Sequence, residues 1–289
     1  MSIISKYIIF LLILYLKFSL KQRNLKRNLK RHPEDIFFFN KTYIESHRGL
    51  NKMVCENTLE SFQKALEYNL ESIETDVWLT KDNVAVICHG HGESGSIDDI
   101  YDHPGNITNL TWEELSTYRT IEGGLKMPRL RDVFKLLKNK MFINVEIKDP
   151  RIDIVFPFIT QLIEEFDMFS QIYLTSLHYG YYEKNKEYNK KYNKILIFGF
   201  VYEKYQQYAF DFFKSGSILS IYWADATKSV CDIAHMNNMA VLAWFDKRDK
   251  ETTIIYQQLI ENGADIICCN DPILATKYLK YYEKNHHTF

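Results

Sequence analysis

The chain has 289 residues, 46% of them hydrophobic, and a formal net charge of −1. That hydrophobic fraction excludes general disorder, and the length suits one barrel domain of about 250 residues. The charge is unevenly placed: residues 1–31 carry eight Lys and Arg and no acid, leaving 28 basic and 37 acidic side chains, net −9, in the remainder. An acidic body excludes a nucleic-acid-binding domain, whose basic surface would lie on the folded part.

Residues 3–20 are mainly apolar, interrupted by Lys6 and Lys17. The unbroken run Tyr7–Leu16 is shorter than the about 20 residues of a spanning helix, but snorkelling lysines extend it to Ile3–Leu20. No small-residue cleavage site follows the run, and Lys17, Lys21, Arg23, Lys26, Arg27, Lys30 and Arg31 do. The expectation is a hydrophobic membrane anchor over residues 1–20 and a basic neck over 21–41 suited to anionic headgroups. A domain over 42–289 then faces the cytosol. A cleaved signal and a place in the secretory pathway is the alternative. Five cysteines without a C-x-x-C pair suit reduced thiols, mostly buried.

Beyond the neck, β-like runs fall at Tyr43–Ser46, Ser72–Trp78, Val84–Cys88, Phe142–Ile147, Ile172–Leu177, Ile195–Val201, Ile218–Ile221, Ala240–Phe245 and Asp265–Cys269. Helical patterns fall between them at Thr58–Tyr68, Leu130–Lys138, Ile154–Phe166, Tyr181–Lys191, Gln206–Lys214, Ser229–Asn237, Thr252–Asn262 and Pro272–Tyr282. Asn57 and Glu60 predict a capping box at the first of these. Strands alternating with helices signal parallel βαβ construction, and about eight units predict a closed (β/α)8 TIM barrel of the α/β class. Residues 90–128, rich in Gly, Asp, Asn and Thr, break the rhythm and predict an insertion on one face, a candidate lid.

Polar groups gather at the C-terminal ends of the predicted strands, where barrel enzymes place their sites. The first strand runs into His47, Arg48 and Gly49. Glu74 and Asp76 share the inward face of the second, with Thr75 outside. The hairpin ends at His89, and Asn144, Glu146 and Lys148 share one face of the next main strand. Buried like charges repel unless a cation or proton sits among them. Glu74, Asp76 and Glu146 therefore suit one hard divalent cation, Mg²⁺ or Ca²⁺. Arg48 offers phosphate a planar fork and Lys148 a point charge. His47 and His89 offer a general base and a general acid. Taken singly, each residue has a duller reading as a strand-end histidine, a solvated edge or a salt bridge; their joint position is what raises phosphodiester chemistry to an equal footing with those readings.

The chain resembles the glycerophosphodiester phosphodiesterase family over roughly residues 42–283. The resemblance rests on His47-Arg48-Gly49, Glu56-Asn57-Thr58, Glu74-Thr75-Asp76-Val77, Leu79-Thr80-Lys81-Asp82, His89 and Glu146-Ile147-Lys148. Shorter matches are Leu110–Leu115, Met127-Pro128-Arg129-Leu130, Ala243-Trp244 and Asn270-Asp271-Pro272. It implies a barrel with a small insertion, His47 and His89 as the acid–base pair, and Glu74, Asp76 and Glu146 as metal ligands. It further implies phosphate contacts from Arg48 and Lys148, a place for Trp244 in the substrate pocket, and attack on phosphorus by an alcohol of the substrate itself. The anchor and neck look like membrane-bound members that cleave lysophospholipids. One departure stands out: the family's usual Asp after the second histidine is Gly90 here, followed by His91, which is expected to face solvent. Two other functions compete: a phospholipase C/D-type lipase on diacyl lipids such as phosphatidylglycerol, and an inactive membrane-anchored lipid-binding protein.

Overall fold

A computed structural model describes residues 41–193, 195–202 and 217–286. The predicted anchor, the predicted neck up to residue 40, and the predicted helix Gln206–Lys214 lie outside the described residues. Among the described residues no helix is long and apolar enough to cross a membrane.

Strands β1 (Tyr43–Ser46), β2 (Ser72–Leu79) and β3 (Ala85–Ile87) come first, with helix α1 (Leu59–Glu67) between β1 and β2. A short helix α2 (Trp112–Leu115) and α3 (Leu130–Leu137) lead to β4 (Phe142–Ile147). The remaining units are α4 (Ile152–Phe166), β5 (Ile172–Ser176), α5 (Gly180–Tyr192), β6 (Ile197–Val201), β7 (Ile218–Tyr222) and α6 (Lys228–Met236). The chain then closes with β8 (Ala240–Trp244), α7 (Thr253–Asn262), β9 (Ile266–Cys269) and α8 (Pro272–His286). The sheet order β1-β9-β8-β7-β6-β5-β4-β2 closes on itself through parallel β1–β2 pairing, while β3 lies antiparallel on β2 outside the ring. The described residues thus form an eight-stranded parallel barrel, as the alternating pattern predicts. The strands read as nearly continuous buried runs because helices cover them outside and side chains fill them inside.

Outward residues such as Ile73, Val77, Ile143 and Val145 pack with Phe62, Phe134 and Ile159 of the surrounding helices. The inward layer is polar at its base. Glu45 is fully buried and accepts hydrogen bonds from Ser72 Oγ (2.8 Å), Asn144 Nδ2 (3.1 Å) and the Tyr173 hydroxyl. Burial raises its carboxyl above the usual range despite these donors. The four side chains close the barrel beneath the site with hydrogen bonds rather than apolar packing.

Two local features bear on the site, and the first departs from expectation. The cap of α1 is Thr58, whose side chain accepts from Ser61 N (3.2 Å) while Ser61 Oγ accepts from Thr58 N (3.3 Å). Asn57, one residue earlier, is left-handed at φ 56° and is released from capping for another task. The insertion, for its part, builds a small core of its own from Ile97, Tyr101, Ile107, Leu115 and Met127 against Trp78 and Val86.

Gly90 belongs to that packing. It sits at φ 57°, and a Cβ there would meet Trp78 Nε1 at 2.8 Å and Gly95 Cα at 3.0 Å. Trp78 Nε1 itself donates to the carbonyl of His89 (3.0 Å), so the indole can retreat only by giving up the bond that holds the His89 backbone. The departure at this position is therefore a steric requirement of this chain. Gly90→Ala should lower the urea midpoint by the equivalent of about 1–3 kcal/mol, the usual cost of overpacking; an unchanged midpoint would show that the loop yields freely.

Candidate active site

All eight residues singled out in the sequence lie at the C-terminal end of the barrel. His47, Arg48, Glu74, His89, Glu146 and Lys148 line one cavity of about 770 Å³, with Trp244 on its wall; Asp76 is fully buried beside them. Strand register makes the cluster. Glu74 pairs with Asn144, and Asp76 with Glu146, so the inward carboxylates of β2 and β4 stand side by side. Glu74, Asp76 and Glu146 each offer an oxygen, all within 4.8 Å of one another.

Cations and amides hold this arrangement. The turn after β1 puts Arg48 at φ 59°, so that its backbone N–H donates to Glu74 Oε2 (3.0 Å) while its guanidinium donates to Glu56 Oε1 (2.7 Å) and lies 3.3 Å from Asp76 Oδ2. Asn57 donates from Nδ2 to Asp76 Oδ2 (2.8 Å) and accepts from Thr75 Oγ1 (2.9 Å). Lys148 Nζ donates to Glu146 Oε1 (2.6 Å) and stands 3.3 Å from Asp76 Oδ1. Glu56 is also bridged to Lys247 at the mouth (2.9 Å).

The charge states follow from burial set against neighbours. Burial would raise Asp76, but Lys148 and Arg48 outweigh it and hold the carboxyl well below its usual range. Glu74 goes the other way: burial first, then the charges of Asp76 and Glu146, push it far above the carboxylate range. Burial would discharge Lys148, yet Glu146 and Asp76 keep it charged. Burial, aided by the positive charge of Arg48, lowers His47 to about 3, and burial lowers His89 to about 2. Both rings are therefore neutral at pH 7.

His47 Nδ1 lies 3.1 Å from Asn270 Oδ1, and its Nε2 lies 3.9 Å from Glu74 Oε2. His89 comes from the hairpin outside the barrel. Its ring meets His91 edge-on at 5.1 Å, and His91, half exposed, pairs with Asp99 (3.2 Å) and lines the cavity with it, so it does not only face solvent. Trp244 packs edge-on against Tyr222 at 5.3 Å. The insertion contributes Ile100, Ile121 and Glu122 to the cavity wall.

The donor set fits a divalent cation. Three carboxylates outnumber Arg48 and Lys148, the two cations touching them, and Glu74 Oε1 is buried with no hydrogen-bond partner. An orphaned acceptor among like charges is the environment a hard cation relieves. Glu56, Asn57 and Asn270 were not assigned a chemical part from the sequence, although all three lie in the matched motifs. Only the tertiary contacts reveal what each one holds.

The glycerophosphoryl diester phosphodiesterase family model matches residues 47–274. A glycerophosphodiester phosphodiesterase of Caldanaerobacter subterraneus is 35% identical over 118 residues, which are 37% of this chain and 46% of that protein. One from Bacillus altitudinis is 28% identical over 149 residues, 48% of this chain and 59% of that protein. The chain thus spans about half the length of these curated relatives. Among solved structures, a Galdieria sulphuraria protein shares the fold at TM-score 0.75 and 24% identity, covering 84% of this chain and 99% of that one. An Oleispira antarctica phosphodiesterase, solved with the product sn-glycerol-3-phosphate, follows at TM-score 0.70 and 18% identity, covering 83% and 97%. With the family model spanning most of the barrel and the cavity carrying its motif residues, the chain belongs to the glycerophosphoryl diester phosphodiesterase family.

Proposed function

We propose that the chain is a metal-dependent phosphodiesterase that hydrolyses glycerophosphodiesters or lysophospholipids. The observation that carries the reading is the convergence, in one cavity, of the Glu74–Asp76–Glu146 cluster, Arg48, Lys148 and two neutral histidines.

Glu74, Asp76 and Glu146 would hold Mg²⁺ or Ca²⁺, whose charge polarises a phosphate oxygen when the ion is bound. Arg48 and Lys148 bind the other phosphate oxygens, exchanging part of their pairing with Glu56, Asp76 and Glu146 for the substrate. His47, neutral, accepts the proton of the substrate hydroxyl that attacks phosphorus, and His89 donates one to the departing alkoxide. The anionic diester favours the protonated form of His89 that burial disfavours. Water opens the resulting cyclic phosphate with the two histidines exchanging roles. The insertion, as a lid, excludes bulk water from these transfers.

The test is to assay the purified chain on glycerophosphodiesters, lysolipids and diacyl lipids with and without each cation. Release of glycerol 3-phosphate from glycerophosphodiesters, or of lysophosphatidate from lysolipids, only with a divalent cation is expected. Cleavage confined to diacyl lipids would favour the phospholipase reading, and turnover of nothing the inactive, lipid-binding one, which the full set of convergent site residues argues against. Glu146→Gln removes a charged oxygen and should abolish cation-dependent turnover with the circular dichroism spectrum unchanged. Wild-type turnover in that variant would sink the metal assignment.

The histidines should separate from the ligands. His47→Ala and His89→Ala are expected to bind Mg²⁺ or Ca²⁺ as the wild type does by calorimetry, yet to lose about 10²–10⁴-fold in kcat. Loss of ion affinity in either would place that ring among the ligands instead.

The charge pattern of the first 31 residues supports attachment to a membrane through residues 1–20, with the barrel facing the cytosol. Lipid attraction of the neck alone is about 1 kcal/mol per basic residue and is screened by salt, whereas burial of the apolar run is not. The chain should stay in the membrane fraction in high salt, and protease added to intact microsomes should digest the barrel. Protection, or a mature N-terminus beyond Leu20, would reverse the topology.

A further inference from the structure

His47 does not stand alone against Asn270. The Asn270 amide is itself oriented by Glu251, which lies between β8 and α7 and belongs to none of the motifs above. Glu251 Oε1 accepts from Asn270 N (2.8 Å) and Asn270 Nδ2 (2.9 Å). Its Oε2 accepts from Asp271 N (3.0 Å) and the Tyr256 hydroxyl. The second Nδ2 hydrogen of Asn270 goes to the Asp246 carbonyl (3.0 Å). A carboxylate and a carbonyl accept and never donate, so the nitrogen of the amide must face them and the oxygen must face the other way. On that other side Asn270 Oδ1 accepts from Asn51 Nδ2 (2.9 Å) and meets His47 Nδ1 at 3.1 Å.

An amide oxygen cannot donate, so Nδ1 of a neutral His47 must carry the hydrogen. The lone pair is then on Nε2, on the side of Glu74 and the cavity. We propose that Glu251 is a positioning residue that fixes His47 in the Nδ1–H tautomer through the Asn270 amide. The inference rests on the proposed part of His47 as the proton acceptor, because only this tautomer presents a basic nitrogen to a hydroxyl in the cavity. Without the carboxylate, the amide keeps one acceptor on its nitrogen side and can rotate, and the opposite tautomer turns an N–H into the cavity. Glu251 acts on rate and not on binding, since it touches neither the phosphate-binding cations nor the carboxylates of the cluster.

The tautomer can be read without turnover. In the full chain labelled with ¹⁵N-histidine, His47 (identified by loss of its signals in His47→Gln) should show a protonated Nδ1 and an unprotonated Nε2 at neutral pH. Glu251→Met keeps the bulk but removes the acceptors, and Glu251→Ala removes both bulk and acceptors. Whichever of the two folds should shift His47 towards the Nε2–H form, and should lower kcat on glycerophosphocholine with saturating Mg²⁺ about tenfold at unchanged KM. Glu251→Gln should restore both readouts, because its amide oxygen will face the two Asn270 donors. An Nε2–H tautomer in the wild type overturns the proposal. So does a lowered kcat with the tautomer unchanged, which would make Glu251 a tie between two loops. If the wild type hydrolyses no phosphodiester, the functional reading fails, and the spectra still decide the part of Glu251.

Discussion

Three carboxyl groups crowded at the mouth of a barrel repel one another, and most of the site is arranged around that repulsion. At the effective dielectric of such places a pair of charges this close costs about 3 kcal/mol. Strand register forces the encounter, since Asp76 and Glu146 are direct neighbours across β2 and β4. Arg48 and Lys148 relieve part of it, Asn57 braces Asp76, and the remaining charge of Asp76 and Glu146, with burial, raises the Glu74 carboxyl. Each compensation has a geometric consequence. Arg48 must turn left-handed to offer its N–H to Glu74, and Asn57 must leave the helix cap to Thr58.

The same charges account for the contrast between the histidines and their surroundings. Burial costs a charged imidazole as much as it costs a carboxylate, and the nearby guanidinium adds to the cost at His47. The negative charge of Asp76 reaches both rings but does not compensate either. The site thus keeps its basic side chains charged and its imidazoles neutral, and pushes the Glu74 carboxyl well above the usual range, all within one cavity.

Much of this was legible in the chain itself. Strands buried on both faces have to be apolar, so Phe142–Ile147 and Ile172–Ser176 stand out, and inward Glu74, Asp76 and Glu146 are conspicuous against them. What escaped were residues whose work is done across the fold. Asn57 and Thr58 are both good caps, and local pattern favoured the first because Glu60 follows at the right spacing; the pull of Asp76 decides otherwise. Glu45 reads as an ordinary strand residue until Ser72, Asn144 and Tyr173 converge on it. Glu251 meets Asn270 only because two loops close together at the end of the barrel.

Among the described residues, the strand that delivers His89 is the one strand that stays outside the ring. Because β3 is only laid on β2, the histidine is set by its pairing with β2 and by the Trp78 indole under its carbonyl, and not by the closure of the barrel. The segment that follows packs a core of its own that meets the ring through Trp78 of β2. The part of the cavity wall formed by Ile100, Ile121 and Glu122 is thus built by a different segment from the carboxylates of β2 and β4. A protein engineer grafting a foreign 91–126 segment would have to keep a glycine at position 95, where a Cβ would meet the Trp78 ring at 3.0 Å, as well as Gly90.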